Sequence, residues 1–448
     1  MSHPSVPTNE VRSTLARHIL ADGYDMVLDL DKSHGSYLVD KLTGKEYLDF
    51  FTFFASNPLG MNHPALDNDE FIQKIGKAAI NKPSNSDIYT EYMAEFLDTF
   101  ERVGIPDYLP NAFFISGGAL AVENAMKVAF DWKVQKNFQR GYREEKGHLV
   151  LHFEHAFHGR TGYTLSVTNT LPDKVKYFPK FNWPRVLSPA NYYPETSESL
   201  DKVVKQEKLA IAQAKRYFEL YKDEIACILI EPIQAEGGDR HFRTEFHEEL
   251  RNLADTYEAL LIYDEVQTGV GLTGKFWAHE HFVKPDIIAF GKKAQVCGIL
   301  AGKRLDEVET NCFKVSSRIN STWGGNLVDM VRFQRILEVI EQNNLVENAQ
   351  KVGDYLLKGL QNLSAKHTHF ANPRGKGLLC AIDLPNSHAR DAIVSECMNQ
   401  GLMILGCGDK TIRCRPTLTV SEIEVDKALS ILSSAYRSAI DRCPVAND

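Results

Sequence analysis

Short apolar runs alternate with segments of helical periodicity through the middle of the chain. Continuous apolar runs are typical of strands buried on both faces of a sheet, and they occupy residues 112–115, 149–153, 226–230, 259–263 and 287–290. Between them, apolar residues recur at the spacing of a helix face over 119–135, 200–222 and 246–257. Strands that alternate with helices predict an α/β fold, in which helices cover both faces of a mostly parallel sheet.

The pattern changes after about Asn326. Helical periodicity over 327–342 and 345–366 leads to a mixture of strands at 377–384, 402–405 and 411–414 with helices at 388–399 and from about 421. Near the N-terminus, 35–40 and 45–54 predict a pair of hairpin-like strands. We therefore expect a large domain at 63–327 and a smaller α+β domain at 328–448, completed by an N-terminal segment at 1–62.

The composition excludes several classes of protein. Of the 448 residues, 43% are hydrophobic and 25% charged, and the formal net charge is −8, which does not fit a disordered chain. No clustered basic face indicates nucleic acid or an anionic membrane as a partner. The chain has neither a long apolar span nor the layout of a signal peptide, so a cytoplasmic location is expected.

The cysteines are expected to be reduced thiols packed in the core. None of them forms a Cys-x-x-Cys pair, and they lie in apolar or helical runs. They are Cys227, Cys297, Cys312, Cys380, Cys397, Cys407, Cys414 and Cys443.

Polar clusters follow each of the apolar runs of the middle region. They lie at 116–118, 155–160, 231, 264–265 and 291–293. Each cluster alone is more typical of a helix cap or a tight turn. Ligands of open α/β sheets, however, bind beyond the carboxyl ends of the strands. The joint occurrence of these clusters therefore predicts one shared site.

The residue types in these clusters indicate a specific cofactor. Gly117, Gly118 and Ala119 precede a helix, so they present backbone amides to an anion such as phosphate, without the spacing of a nucleotide-binding loop. Asp264, at a buried strand end, needs a cationic partner such as a protonated pyridine nitrogen. Lys292 can form a Schiff base if its amine is desolvated. Together these groups predict pyridoxal phosphate; a non-catalytic phosphate- or nucleotide-binding α/β protein is the alternative.

Five passages resemble the class III, fold-type-I family of pyridoxal-phosphate-dependent aminotransferases over roughly residues 15 to 440. They are FHGRTGYT (157–164), EPIQAEGG (231–238), DEVQTGVGLTG (264–274), PDIIAFGKK (285–293) and IRCRP (412–416). The resemblance implies a large domain with a mostly parallel seven-stranded sheet flanked by helices, together with a smaller α+β domain.

The same resemblance implies a set of cofactor contacts: Gly118, Ala119, Phe157, Asp264, Val266, Gln267, Lys292, Asn320 and Thr322. Lys292 would be the catalytic lysine that holds the cofactor, although the pattern alone does not choose it over Lys293. Asp264 would pair with the pyridine nitrogen and Gln267 with the 3-hydroxyl group, while Val266 and Phe157 would flank the ring.

The remaining cofactor contacts concern the phosphate. Gly118 and Ala119 would bind it through backbone amides, and Asn320 and Thr322 would reach the phosphate of a neighbouring subunit. The resemblance therefore implies a homodimer in which two chains complete each active site.

The family resemblance also assigns substrate contacts to Arg160, Glu236, Gln267 and Arg413. Arg160 would bind a carboxylate distant from the reacting amine, and Arg413 the α-carboxylate of 2-oxoglutarate. Glu236 would neutralise Arg413 while the amine substrate is bound. This charge switch argues against a racemase or a decarboxylase, which needs only one substrate.

Four further passages resemble the members of the family that act on the ε-amino group of lysine: KPSNSDIY (82–89), EGGDRHFR (236–243), FGKKAQVCG (290–298) and NSTWGGN (320–326). The implied reaction transfers this amino group from L-lysine to 2-oxoglutarate, giving L-glutamate and 2-aminoadipate 6-semialdehyde, which cyclises to piperideine-6-carboxylate. Another ω-aminotransferase acting on ornithine or 4-aminobutyrate is the alternative.

Two departures from the broader family pattern favour this subgroup. Gly117-Gly118-Ala119 replaces the usual Ser-Gly-Thr/Ala signature, and residues 293–298 replace a glycine-rich stretch after the lysine. No metal is expected: His152, His155 and His158 have no acidic or cysteine partner at ligand spacing. The aromatic run at 50–54 is expected in core or dimer packing.

Overall fold

The computed structural model of the protein describes residues 5–442. A seven-stranded sheet forms its centre, with the strand order β3-β9-β8-β7-β6-β4-β5. Its strands are β3 (Asn111–Ile115), β4 (Leu149–Phe153), β5 (Arg185–Val186), β6 (Ile225–Ile230), β7 (Leu260–Asp264), β8 (Ile287–Phe290) and β9 (Cys297–Ala301). All pairs from β8 to β5 are parallel, and only β9 pairs antiparallel with β3 and β8. The predicted mostly parallel sheet is confirmed.

The continuous apolar runs correspond to strands that are covered on both faces. Every residue of β6, β7 and β8 is buried, which is why these runs do not alternate between apolar and polar positions. The sequence prediction missed β5, which has only two residues, and β9, which returns antiparallel directly after β8 without an intervening helix.

The helices lie on both sides of this sheet and in the terminal regions. They are α1 (Val11–Leu15), α2 (Thr52–Ala55), α3 (Asp69–Ile80), α4 (Glu91–Gly104), α5 (Gly118–Gln139), α6 (Gly162–Val167), α7 (Ser197–Leu220), α8 (Thr244–Thr256), α9 (Leu327–Gln342), α10 (Leu345–Lys366), α11 (Ser387–Asn399) and α12 (Glu422–Arg442). No helix within residues 5–442 is long and apolar enough to cross a membrane.

Two smaller sheets are built from the ends of the chain. Strands β10 (Ala371–Lys376), β11 (Leu379–Asp383), β13 (Leu405–Cys407) and β14 (Thr411–Cys414) form one, in the order β10-β11-β14-β13. The other joins β1 (Tyr37–Val39) and β2 (Glu46–Asp49) to β12 (Leu402–Met403). The predicted strand at 402–405 is thus divided between two sheets. Strand β10, which contains Pro373 and a register shift, was not predicted.

The parallel pairing of β2 with β12 supports our proposal that residues 1–62 belong to the same small domain as residues 328–448. Residues 1–4 and 443–448 of these predicted domains lie outside the described part of the chain. So does Cys443. The seven described cysteines are free thiols, and all except the partly buried Cys297 are buried.

The predicted strand at 45–54 is wrong beyond Asp49. The carboxylate of Asp49 accepts hydrogen bonds from the backbone N–H groups of Phe51 (2.9 Å) and Thr52 (2.7 Å), which turns the chain out of the strand. The four residues of α2 then all have positive φ, between 43° and 65°, a left-handed conformation that is unfavourable for residues with a Cβ. Within this aromatic run Phe50 and Phe51 are buried, whereas Phe53 and Phe54 are exposed.

Candidate active site

A cavity of about 280 Å³ lies at the carboxyl ends of the parallel strands. It is lined by Gly118, Ala119, Phe157, His158, Gly159, Arg160, Glu231, Glu236, Asp264, Val266, Gln267 and Lys292. Each of the polar clusters predicted from the strand ends contributes at least one residue. Parallel strands end at the same edge of a sheet, and this topology brings together groups that are far apart in the sequence.

The two adjacent lysines have different environments. Lys292 lines the cavity, and it begins a short 3-10 turn, Lys292–Ala294, with a positive φ of 50°. Lys293 points elsewhere: it is 2% exposed, and its Nζ donates a hydrogen bond to the carbonyl oxygen of Gln267 at 2.9 Å. The geometry therefore favours Lys292 as the amine available to a ligand.

Burial lowers the pKa of Lys292, the effect expected for an ammonium group removed from water. Nearby Asp264 opposes this shift, because an anion favours the charged amine, whereas Arg413 lowers the pKa further. The balance increases the fraction of the neutral, nucleophilic amine.

Asp264 is fixed in the cavity wall by a partner that sequence analysis did not assign. His158 Nδ1 donates a hydrogen bond to Asp264 Oδ2 at 2.8 Å, and both side chains are almost fully buried. The other oxygen, Oδ1, accepts from the backbone N–H of Val266 at 3.0 Å. The backbone N–H of His158 in turn donates to Thr168 Oγ1 at 2.8 Å. These contacts fix the direction in which the carboxylate faces.

Glu231, at the end of β6, supports the cavity through backbone contacts. Its two carboxylate oxygens accept hydrogen bonds from the N–H groups of Phe157 (3.1 Å) and Ala235 (3.0 Å). Burial raises the pKa of Glu231 to about 7, although these amides and His158 act in the opposite direction. The carboxylate thus ties the segment that carries Phe157 to the segment that leads to Glu236.

The opposite end of the cavity is formed by the start of α5. The residue before this helix, Gly117, has a φ of +105° and provides no side-chain cap, so the first amides of the helix are not covered by a side chain. A Cβ on Gly118 would lie 2.8 Å from Val266 Cγ1. Only glycine therefore lets the helix end approach Val266 this closely, and uncapped amides at a helix N-terminus suit an anion.

An ion pair joins Glu236 and Arg413 beside the cavity. Arg413 Nη2 donates to Glu236 Oε2 at 3.2 Å, and Arg413 Nη1 donates to Gln267 Oε1 at 3.3 Å. The Arg413 side chain is 2% exposed, against 23% for Glu236. Burial raises the pKa of Glu236, but Arg413 and Lys174 lower it by more, so the net pKa is below the usual value and the carboxylate is ionised at neutral pH.

The other predicted site residues lie at the periphery or outside the cavity. Arg160 lines the cavity but is exposed. Asn320 and Thr322 are exposed and do not line it. Asn320 borders a separate hollow of about 830 Å³, together with Asn85 and Ser86. The structure therefore does not bring these two residues to the cavity of their own chain.

The cavity residues fit the expected cofactor, pyridoxal phosphate. The desolvated amine of Lys292 suits attachment of an aldehyde. The oriented carboxylate of Asp264 suits a protonated ring nitrogen. The uncapped helix end at Gly118 suits the phosphate, with room that a Cβ would fill. The amine, the carboxylate and the helix end thus match the aldehyde, the ring nitrogen and the phosphate of the cofactor.

The three histidines considered as metal ligands do not form a metal site. Within residues 5–442 no group of three or more His, Cys, Asp or Glu side chains is arranged to hold a metal ion. Burial lowers the pKa of His152 to about 3, so this ring is neutral. His158 is engaged with Asp264.

Comparison with known proteins gives one consistent result. Residues 19–436 match the family model described as aminotransferase class-III. The L-lysine-epsilon aminotransferases of Mycobacterium tuberculosis and Amycolatopsis lactamdurans are 52% and 49% identical to this chain, each over 96% of both sequences. A solved structure, that of lysine aminotransferase from M. tuberculosis in the internal aldimine form, superposes with a TM-score of 0.95. It is 51% identical and covers 97% of this chain and 100% of its own.

Proposed function

The chain belongs to the class-III aminotransferase family, and we propose that it transfers the ε-amino group of L-lysine to 2-oxoglutarate. The products are L-glutamate and 2-aminoadipate 6-semialdehyde, which cyclises to piperideine-6-carboxylate. The names of the relatives at about 50% identity support lysine as the amine substrate. The observation that carries the proposal is the Glu236–Arg413 ion pair beside the cavity.

The cofactor of the family is pyridoxal phosphate, which supplies an aldehyde that captures amines and a protonated ring that accepts an electron pair. Lys292 would hold the cofactor through Nζ. When the substrate amine is bound in its place, the same Nζ would take the proton from the amine-bearing substrate carbon and deliver it to the carbon of the cofactor's former aldehyde group. Its desolvated position and lowered pKa keep Nζ able to accept that proton.

The other cavity residues orient the cofactor. Asp264, held by His158, would keep the ring nitrogen protonated, and Phe157 and Val266 would flank the ring. Arg413 and Arg415 both donate to Oε1 of Gln267, so its amide N–H groups would be the ones left to bind the 3-hydroxyl group. The backbone amides of Gly118 and Ala119 would bind the phosphate.

The substrate contacts must serve two different molecules. Lysine presents a cationic ε-amine, and a bare Arg413 beside it would repel the substrate. The Glu236–Arg413 pair removes this repulsion. 2-Oxoglutarate instead presents an α-carboxylate, which takes the place of Glu236 on Arg413. Arg160, at the exposed side of the cavity, binds the carboxylate far from the reacting atom in either substrate.

The exposed positions of Asn320 and Thr322 support a homodimer in which these residues contact the phosphate of the partner subunit. They lie outside the cavity of their own chain. A cytoplasmic location stays a prediction from the sequence.

The test is product analysis with lysine, ornithine and 4-aminobutyrate at equal concentration, each with 2-oxoglutarate. We expect glutamate and a trappable cyclic imine with lysine at a rate well above those of the other two amines. Lys292→Ala should abolish the reaction and the borohydride-fixed adduct. Faster turnover of ornithine or 4-aminobutyrate would contradict the lysine assignment, and a colourless protein without an adduct would indicate a binding protein only.

A further inference from the structure

A lysine that the sequence analysis did not select lies beside Glu236. Lys174 ends the 3-10 turn Pro172–Lys174, between α6 and β5. Its Nζ donates a hydrogen bond to Glu236 Oε1, while Oε2 of the same carboxylate accepts from Arg413 at 3.2 Å. The Nζ also lies 5.1 Å from the centroid of the Phe157 ring. Glu236 is therefore shared between two cations, one on each oxygen.

The loop that carries Lys174 is held by its own contacts. Lys180 Nζ donates to the carbonyl oxygens of Val175 and Phe178, each at 2.7 Å. Lys176 pairs with Asp173 at 2.5 Å, and its side chain is 49% exposed, against 23% for Lys174. Two lysines only two positions apart thus have different environments: Lys174 contacts Glu236 of the cavity wall, and Lys176 lies at the surface.

The charges of this cluster favour an anionic substrate. Arg413 and Glu236 together are neutral, and Lys174 adds one positive charge beside the cavity. A keto acid that binds Arg413 leaves Glu236 without that partner. An unpaired carboxylate in a partly buried wall is unfavourable, and it would repel the incoming dicarboxylate. Lys174 offers Glu236 a second cation that is already in contact with it.

We propose that Lys174 is a specificity-determining residue of the keto-acid half-reaction. It stays paired with Glu236 when the substrate carboxylate replaces Glu236 on Arg413. This role rests on the proposed exchange between lysine and 2-oxoglutarate. Lys174 acts through Glu236 and not on the reacting atoms, so it is a positioning residue. The amine half-reaction, in which Glu236 stays on Arg413, does not need it.

The test measures the KM for each substrate in steady-state turnover. It also follows the two half-reactions separately by cofactor absorbance, lysine with the pyridoxal form and 2-oxoglutarate with the aminated form. Lys174→Met should raise the KM for 2-oxoglutarate about fivefold to tenfold, less than a fully buried charged hydrogen bond would give. The KM for lysine should stay within about twofold of the wild-type value. Lys174→Arg should restore most of the loss, and Lys176→Met, the matched control in the same loop, should change neither KM.

A second variant tests whether Lys174 acts through Glu236. In a Glu236→Gln background, Lys174→Met should change the KM for 2-oxoglutarate by less than about twofold, since coupled residues are not additive. An undiminished effect there would overturn the proposal, as would an equal rise in both KM values in Lys174→Met. If the aminated wild-type protein reacts with 2-oxoglutarate but the pyridoxal form does not react with lysine, only the amine substrate is overturned. The KM for 2-oxoglutarate in Lys174→Met relative to wild type still decides the role of Lys174.

Discussion

His158 donates a hydrogen bond from Nδ1 to Oδ2 of Asp264, 2.8 Å away, although the two residues are 106 positions apart in the chain. Both side chains are buried. The Asp264 carboxylate, which we propose pairs with the ring nitrogen of the cofactor, is thus oriented by an imidazole that also lines the cavity. This relationship leads to the first prediction.

Replacing His158 by Phe should reduce transamination without removing the cofactor. The ring volume is kept, but Asp264 loses its side-chain donor, a loss of about 1–3 kcal/mol for a buried charged acceptor. We expect kcat to fall roughly fivefold to a hundredfold, at about 1.4 kcal/mol per tenfold. His148→Phe, at an exposed position, is the control and should match the wild type. An unchanged kcat in His158→Phe would show that Asp264 is oriented without His158.

The cofactor-free protein should attach pyridoxal phosphate with a pH midpoint below that of an ordinary lysine, about 10.4. Burial lowers the pKa of Lys292, and only the neutral amine reacts, so attachment rises with pH through this lowered value. Asp264 favours the ammonium form, and Asp264→Asn should therefore move the midpoint lower still. Attachment can be measured by borohydride reduction and mass spectrometry at each pH. A midpoint at or above 10.4 would contradict a desolvated Lys292.

Gly118→Ala should weaken cofactor binding. The new Cβ would lie 2.8 Å from Val266 Cγ1, and overpacking of this kind costs about 1–3 kcal/mol. Val266 would be pushed towards the cavity, so the Kd for pyridoxal phosphate should rise roughly fivefold to a hundredfold. Gly162→Ala is a matched control, because nothing lies within 4 Å of the Cβ position at Gly162. Quenching of tryptophan fluorescence gives both Kd values, and equal values would contradict the steric argument.

Asp239→Asn should destabilise the fold more than a substitution that breaks an exposed ion pair. Asp239 pairs with Arg415, and both side chains are fully buried. Removal of the negative charge leaves a buried guanidinium uncompensated, at about 3–5 kcal/mol. Urea unfolding should show this loss, and the double variant Asp239→Asn/Arg415→Met should recover part of it. Glu198→Gln, which breaks the exposed pair with Lys202, should change stability by at most about 0.5 kcal/mol.

The sequence predicted the parallel part of the central sheet because those strands are buried on both faces and separated by helices. It missed β9 because this strand follows β8 through the turn at Lys292–Ala294, with no helix to mark the change of direction. It also extended β2 into residues 50–54, because an apolar run does not show that the Asp49 carboxylate accepts hydrogen bonds from the next backbone amides. Such side-chain-to-backbone hydrogen bonds depend on local geometry, which hydrophobic periodicity does not contain.

The cavity was predicted from the polar residues at the strand ends, together with the family resemblance. Which of Lys292 and Lys293 faces it depends on a local turn, which the pattern could not resolve. His158 was not assigned as a partner of Asp264, nor Lys174 as a second partner of Glu236 besides Arg413, because both contacts are tertiary. His158 lay within a motif and could have been considered, whereas nothing near Lys174 in the sequence indicated its position.

The pairing of β2 with β12 has a consequence for synthesis of the chain. Leu48 lies opposite Leu402, so one edge of β2 has no partner until β12 has been made, more than three hundred residues later. At about 5–20 residues per second, this interval is roughly 18–70 s on the ribosome. Phe50 and Phe51, buried in the finished protein, follow β2 directly. Until β12 has been made, one edge of β2 lacks its partner, and an unpaired strand edge is a template for pairing with other chains.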